Sequence, residues 1–331
     1  MRLTIKYRYS VAMKCVLVGN YGVGNVGDEA LKEYFLSAFP DIEWAILMAH
    51  PTKEQLPRLP AGFRSFISLS WWKTLKAIKQ CDAMVFGGGS LFTDVESSFA
   101  CFLWCIHAWT AYHYRKPYFL AFQGIGPFRT KTGKFFAKWA VKHAAFVSVR
   151  DEESFARLQS FIMNTKCERT FDPVILLIRK SYSLRSENVI TLIPRLNSGQ
   201  QFIQSVKLVA DQDKDVHFSI ILLQPDDSQE KNVAVTILRL VDGRGVIVPV
   251  RTFDQLCECI AGSSFVVTQR YHGALAALAL HVPVEIVCQA EGDKLSSLKD
   301  YANGVKSVEE MFSLAQYGEE TLRNALKSIL K

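Results

Sequence analysis

The sequence predicts an α/β protein built from two doubly wound domains with a cleft between them. Short apolar runs that end in glycine or a polar turn alternate with helical stretches along nearly the whole chain. That alternation is the mark of parallel sheets covered by helices on both faces. The series breaks once, in the tract from Asp172-Pro173 to Glu187, and then starts again. A length of 331 residues, 49% of them apolar, exceeds one ordinary core and excludes general disorder.

The first series opens with the strand Lys14-Cys-Val-Leu-Val-Gly19, followed by a glycine-rich loop and a helix through Phe39. Ile42 to Met48 predicts a second strand, Trp72 to Gln80 a helix, and Ala83 to Phe86 a buried strand stopping at Gly87-Gly-Gly-Ser90. Ser98 to Tyr114 is apolar and aromatic and too long for a strand; its aromatic part, Phe99–Tyr114, is open to membrane contact, but the helical spacing favours a place in the core. Pro117 to Phe122, Lys131 to His143 and Phe146 to Val149 complete this half as strand, helix and strand. The second series runs Val189–Ile193, a helix near 200–212, His217–Leu223, a helix near 229–241, Val246–Val248, a helix over Thr252–Ala261, and the segment opened by Phe265. Residues 13–180 and 187–331 are therefore the expected domains, with the last helix a candidate for crossing back.

Composition narrows the function. No uninterrupted apolar run reaches the length of a membrane span. Residues 1–12 mix basic residues and tyrosines without an apolar core, so they do not read as a secretory signal, and Met13 is a candidate start. The net charge of +7 favours anionic ligands or an anionic membrane surface. Its basic residues are spread along the chain without the dense clusters of nucleic-acid binders, so no nucleic-acid partner is expected. The eight cysteines lie largely in apolar runs, and Cys257-Glu-Cys259 and Cys101-x-x-x-Cys105 lack the paired ligands of a zinc site. A reduced, cytoplasmic protein without a structural metal is expected.

Phe265-Val-Val-Thr-Gln-Arg-Tyr-His272 is the most informative segment: a buried strand, a polar turn and the mouth of an apolar helix. Ligands of open parallel sheets bind at the carboxyl edge of the strands, and helix N-termini attract anions. Arg270 brings a planar fork that fits phosphate or carboxylate, and His272 a side chain that can exchange a proton near neutrality. Arg150 and Arg195 also fall at strand ends, so the three arginines are expected to converge on a small, multiply charged anion. Gly87-Gly-Gly-Ser90 is expected to bring backbone amides to that ligand, with Gly88, Gly89, Ser90 and Asp94 within reach. Gly19 to Gly27 echoes a dinucleotide loop, but Met48-Ala-His50 stands where an acidic residue for the ribose belongs. Asn25-x-Gly27-Asp28-Glu29 instead puts two carboxylates in a first helical turn, expected to shape the cleft and bind sugar hydroxyls; the bland alternative is an N-cap by Asp28. His107, His113 and His143 read as packed or surface residues.

Asn25-x-Gly-Asp-Glu-Ala30, Gly87-Gly-Gly-Ser90, Gln123-Gly-Ile-Gly-Pro127, Val149-Arg-Asp151, Asp172-Pro173 and Arg270-Tyr-His272 follow one another in an order that resembles the polysaccharide pyruvyl transferase family. The resemblance, from about residue 14 to about 300, implies two Rossmann-like domains in a GT-B-like arrangement. It implies phosphoenolpyruvate as donor substrate and a sugar as acceptor, in bacterial members often carried on a lipid precursor of a cell-wall polymer. Enolpyruvyl transfer onto two hydroxyls then forms a ketal and releases phosphate, without a redox cofactor or obligatory metal. Arg150, Arg270 and His272 match the positions that hold the donor, with His272 and Arg270 the expected catalytic pair. Peripheral contact with the inner face of the membrane is a further implication. A GT-B glycosyltransferase using a nucleotide sugar and a non-catalytic binding protein of the same fold are the rival readings.

Overall fold

A computed structural model describes residues 12–60, 66–67, 69–95, 97, 99–161, 167–178, 182, 188–289 and 294–329. It contains two parallel sheets. The first holds β1 (Met13–Val18), β2 (Ile42–Met48), β3 (Leu56–Pro57), β4 (Ala83–Phe92), β5 (Tyr118–Ile125), β6 (Phe146–Val149) and β7 (Cys167–Arg169), in the order β3-β2-β1-β4-β5-β6-β7. The second holds β8 (Val189–Ile193), β9 (His217–Leu222), β10 (Gly245–Pro249), β11 (Phe265–Thr268) and β12 (Val284–Ile286), in the order β10-β9-β8-β11-β12. Strand order reverses beside β1 and beside β8, and the carboxyl ends at such switch points form ligand crevices.

Helices α1 (Val26–Ala38), α2 (Trp72–Gln80), α3 (Ala100–His113), α4 (Lys131–His143) and α5 (Glu152–Phe161) belong to the first sheet. The second carries α6 (Gln200–Gln212), α7 (Ser228–Leu240), α8 (Phe253–Ala261), α9 (Tyr271–Ala279) and α10 (Ser296–Ala302), and α11 (Val308–Ser328) ends the chain. This is the doubly wound α/β architecture that the alternating pattern predicts. Strand β4 differs in detail: it does not stop at the glycines but runs on to Phe92, with a register shift against β5 between Gly89 and Phe92. Gly88 and Gly89 adopt φ of +81° and +84°, which bends the strand without ending its pairing.

Helices α2 to α5 cover one face of the first sheet around Ile78, Trp104, Ala108, Ala137 and Leu158. On the other face the core runs without a break from the first sheet into the second, through Tyr34, Val174, Ile193, Leu223, Phe253 and Tyr271. The expected cleft is thus floored by packed apolar side chains. Helix α9 explains why: eight of its nine residues are buried, His272 being the ninth, and a helix apolar all round belongs inside. Helix α11 returns to the first domain, where Arg323 stacks over Phe39 and donates to the Ala38 carbonyl, and Tyr34 donates to Glu319 at 3.1 Å. Among the described residues no helix is long and apolar enough to cross a membrane.

His107 lies on the buried side of α3, accepting from the Leu59 amide at Nε2 (3.0 Å) with Nδ1 facing the Leu103 carbonyl (2.8 Å). Burial pulls its pKa down to about 4. A depressed value means that the neutral ring stabilises the fold above about pH 6.5, and that this contribution is lost as pH falls towards 4. Denaturant titrations should show roughly 3 kcal/mol of extra acid destabilisation from this residue. A His107→Gln variant, which keeps hydrogen-bonding capacity without the titration, should lack that component of the pH profile.

Candidate functional site

The site starts at the carboxyl end of β6. Arg150 follows the strand directly and is only 1% exposed. Its Nη1 pairs with Asp172, its Nη2 donates to Ser90 Oγ at 3.2 Å, and its guanidinium lies 4.5 Å from the centre of the Tyr271 ring. A buried guanidinium requires such pairing, because desolvating an uncompensated charge costs several kcal/mol. Asp172 is fixed in turn by local sequence. It caps the short 3-10 turn Pro173–Leu177, Oδ1 accepting from the Val174 amide at 3.1 Å, with proline at the first position where no amide is needed. Burial would raise the Asp172 carboxyl, but Arg150, then His272, outweigh it and hold the group well below the usual carboxylate range.

His272 reaches the same carboxylate from the second domain. The Gln269 amide donates to the Ile193 carbonyl (3.0 Å) and the Arg270 amide to Thr268 Oγ1 (3.0 Å), which sets the turn before α9. His272 is then the one α9 residue not packed into the core, and its Nε2 stands 3.7 Å from Asp172 Oδ2. That is ion-pair range and too long for a hydrogen bond. The Phe253 ring meets the imidazole edge-on at 6.4 Å. On its other side lies Gly27 in the first turn of α1: a Cβ there would fall 1.9 Å from His272 Nδ1. Glycine in Asn25-x-Gly27-Asp28 is therefore the space that admits the histidine.

The rest of the glycine-rich loop is held by its own side chains. Asn25, not Asp28, caps α1, accepting from the Gly27 amide at 3.0 Å. Glu29 accepts from the Gly22 amide at 2.6 Å and pairs with Lys32, so both of its oxygens are engaged within the loop. Arg58 clamps the same loop from outside, with Nη2 on the carbonyls of Gly19 and Tyr21 and on Asn20 Oδ1. Asp28 faces inward, accepting from Asn20 Nδ2 at 3.0 Å. Burial pushes its carboxyl up, against the lowering pull of Asn20, His272 and Arg150. The triglycine strand has internal reasons too. A Cβ on Gly87 would strike the Tyr21 hydroxyl at 2.2 Å, and one on Gly88 would strike Leu31 at 2.7 Å.

The structure thus brings Arg150, Ser90, Tyr271, His272, Gly27 and Asp172 together across the two domains. Asp94 stands apart in function: both oxygens are consumed at the start of α4, by the amides of Arg129 (2.6 Å) and Thr130 (2.8 Å) and by the Thr130 hydroxyl. It closes the loop after β4, and three of the roughly four acceptor positions of its carboxylate are taken by that role. Arg270 turns to Glu230 of α7, Nη2 lying 3.4 Å from Oε1 of that fully buried carboxylate. Arg195 sits in the turn after β8, where its amide meets Ser198 Oγ at 3.0 Å and Ser198 also donates to Gln269. Asp172, Glu230 and Arg58 escaped sequence reasoning as site residues. The Asp172-Pro173 dipeptide stands both at the domain boundary and among the family motifs, but neither assigns the aspartate a role; Glu230 and Arg58 lie in segments with no motif.

Arg150 Nε, the Tyr271 hydroxyl, His272 Nε2 and Gln123 Oε1 are buried and make no hydrogen bond within the protein. Buried polar atoms are nearly always satisfied, so orphans clustered at the strand ends mark a place built for a polar ligand. The polysaccharide pyruvyl transferase model matches residues 25–284, which takes in every element of this site. The chain belongs to that family. Membership marks it as a transferase. No curated protein matches the sequence. Among solved structures, UDP-GlcNAc 2-epimerase from Methanocaldococcus jannaschii aligns with 95% of this chain and 100% of its own at 12% identity, TM-score 0.60. MnaA of S. aureus, solved with UDP, aligns over 97% of each chain at 12% identity, TM-score 0.58. The Neisseria meningitidis UDP-GlcNAc 2-epimerase, bound to UDP-GlcNAc, aligns over 96% and 100% at 11% identity, TM-score 0.57. At such identity the likeness is one of fold: two Rossmann-like domains in the GT-B arrangement.

Two stability measurements probe the site directly. Asp172→Asn leaves Arg150 charged and buried without its counter-ion, so urea unfolding should show a loss of about 3–5 kcal/mol. Because the Asp172 carboxyl is depressed in the fold, the native pair contributes above about pH 4 and is lost only in stronger acid. Gly27→Ala forces the His272 ring to move, and overpacking of this kind should cost roughly 1–3 kcal/mol. Pairing it with His272→Ala should recover much of that loss, since the added methyl then has room.

Proposed function

We propose that the protein transfers the enolpyruvyl carbons of phosphoenolpyruvate onto two hydroxyls of one sugar in a cell-wall or surface polysaccharide precursor, forming a ketal and releasing phosphate. The observation that carries this reading is the imidazole of His272 held between Gly27 and Asp172, beside the buried Arg150, within a chain of the pyruvyl transferase family. The donor bears a carboxylate and a phosphate, which suits guanidinium groups, and its chemistry begins with a proton.

In the reaction as we read it, protonated His272 gives its proton to the methylene carbon, which becomes the methyl group. The adjacent carbon turns oxocarbenium-like, and a sugar hydroxyl attacks it and loses its own proton. The carbon–oxygen bond to phosphate then breaks with its electron pair, and the second hydroxyl closes the ring as its proton leaves. One hydroxyl proton replaces the one spent on carbon, the other leaves with phosphate, and no electrons enter or leave. The ionised Asp172 supplies a counter-charge 3.7 Å from the imidazole and fixes its orientation. Arg150 and Arg270 are the residues we assign to the donor's anionic groups. Arg270 would do so by exchanging its contact with Glu230 for the ligand. Asp28, raised by burial and facing the same cleft, is the carboxylate we assign to the acceptor hydroxyls. No redox cofactor takes part.

Purified protein given labelled phosphoenolpyruvate and a panel of nitrophenyl and lipid-linked sugars should release phosphate and form a ketal, taking one deuterium into the methyl group in heavy water. His272→Ala should reduce turnover by about 10²–10⁴-fold while the donor still binds. Replacing Arg270 by Lys keeps charge but loses the fork, and donor affinity should fall by about 1–3 kcal/mol. Consumption of a uridine diphosphate sugar with none of phosphoenolpyruvate would instead favour the glycosyltransferase reading.

A further inference from the structure

The basic residues that look scattered in the sequence gather on one side of the molecule. Residues 66–80, 99–116 and 128–143, which contain α2, α3 and α4, hold ten lysines and arginines and no aspartate or glutamate. Since the whole chain carries +7, the remainder nets −3. These three helices pack side by side on the outer face of the first sheet. Nine of the ten basic side chains are exposed, and among the described residues none of those nine is ion-paired. Unpaired like charges repel one another, so such a face gains from an anionic partner.

The same face is aromatic. Trp72 is 59% exposed, Trp109 53%, Tyr112 52% and Phe135 63%. The expectation that the segment from Ser98 to Tyr114 is core holds only for its inner side, where Cys101, Trp104, Cys105, Ala108 and Ala111 are buried. A helix apolar all round is normally covered all round. On α3 the outer side is left to solvent, and contacts between Phe102 and Phe136 (5.2 Å) and between Tyr112 and Trp139 (5.6 Å) weld it to α4.

We infer that the outer face of α2, α3 and α4 adsorbs to an anionic lipid bilayer. Exposed lysines interleaved with tryptophan, tyrosine and phenylalanine match the headgroup layer of such a membrane. Eight of the ten cations are lysine, the flexible point charge, and not arginine with its bidentate fork. A second copy of the chain would set two unpaired basic faces against each other. In a parallel βα unit the helix N-terminus lies at the carboxyl edge of the preceding strand, so α3 and α4 begin beside the ends of β4 and β5, where Ser90 and Gln123 stand. The adsorbed face therefore reaches the rim of the cleft, and a lipid-carried sugar would arrive there; that last point rests on the pyruvyl-transfer reading, and adsorption does not.

Flotation with vesicles tests it. The protein should float with vesicles of equal parts phosphatidylglycerol and phosphatidylcholine at low salt, stay behind with phosphatidylcholine alone, and be released as salt rises. At about five-fold per lysine, a Lys134→Ala, Lys138→Ala, Lys142→Ala variant should partition roughly 100-fold more weakly. Trp109→Ala with Phe135→Ala should weaken binding and leave the salt dependence intact. All five side chains are exposed, and Lys134 lies over the Phe161 ring at 5.0 Å, so thermal midpoints should stay within about a degree or two, what an exposed cation–π contact is worth. Equal binding to neutral vesicles, or no flotation with anionic ones, overturns the assignment, whatever the variants do. So does binding that survives the lysine variant, a dimer abolished by the same lysine changes, or tighter retention on polynucleotide than on vesicles.

Discussion

The ion pair between Arg150 and Asp172 is the constraint around which the rest of the site is arranged. Both groups are almost wholly buried, and a buried charge is tolerated only where its partner and hydrogen bonds are fixed in place. Here each is fixed by a different device. A strand end positions the arginine, and the cap of a proline-led turn positions the aspartate. With those two set, Ser90 at the bend of β4, the Tyr271 ring and the His272 imidazole acquire defined positions relative to one another.

The pair also couples the domains. Arg150, Asp172 and Gly27 belong to the first, and Tyr271 and His272 to the second, with an apolar core running continuously beneath them. Small residues make that junction possible. Gly27 leaves room for the imidazole, and Gly318 of α11 for Phe122 and Thr170. The loop carrying Asp28 is then braced by Arg58 and Glu29, which are occupied with its backbone and not with the cleft. Polar groups in this region fall into two kinds. Those that saturate each other hold the scaffold, while Arg150 Nε, the Tyr271 hydroxyl and His272 Nε2, which make no hydrogen bond within the protein, lie beside one another in the candidate site.

The two faces of the first sheet serve different ends. One is committed to the second domain through α1 and α11. The other, under α2 to α4, is finished with lysines and exposed aromatic rings in place of the mixed charges of an ordinary surface. A parallel sheet needs cover on both faces, but packing governs only the inner side of each covering helix. The outer side is free to take up another task.

Much of this was readable from the chain. The alternation of apolar runs gave both sheets, because strands buried on two faces leave continuous hydrophobic stretches and their ends are punctuated by glycine. The order of short motifs gave the family, and Arg150, Arg270 and His272 do follow strand ends, which is where the candidate site was expected. Local reading failed where partners are distant in sequence. Nothing near Asp94 reveals that three donors at the start of α4 consume it, and nothing near Gly27 announces the histidine that fills its missing side chain. Asp172 looked like a boundary because its cap is local, while its charge partners come from two other segments. Sequence alone determined the elements and the edge where chemistry belongs, since periodicity and strand ends are properties of neighbouring residues. Only the tertiary structure decided which charges meet, which are spent on the scaffold, and that scattered lysines share one face. Those are matters of distance between residues far apart in the chain, and desolvation makes such distances decisive.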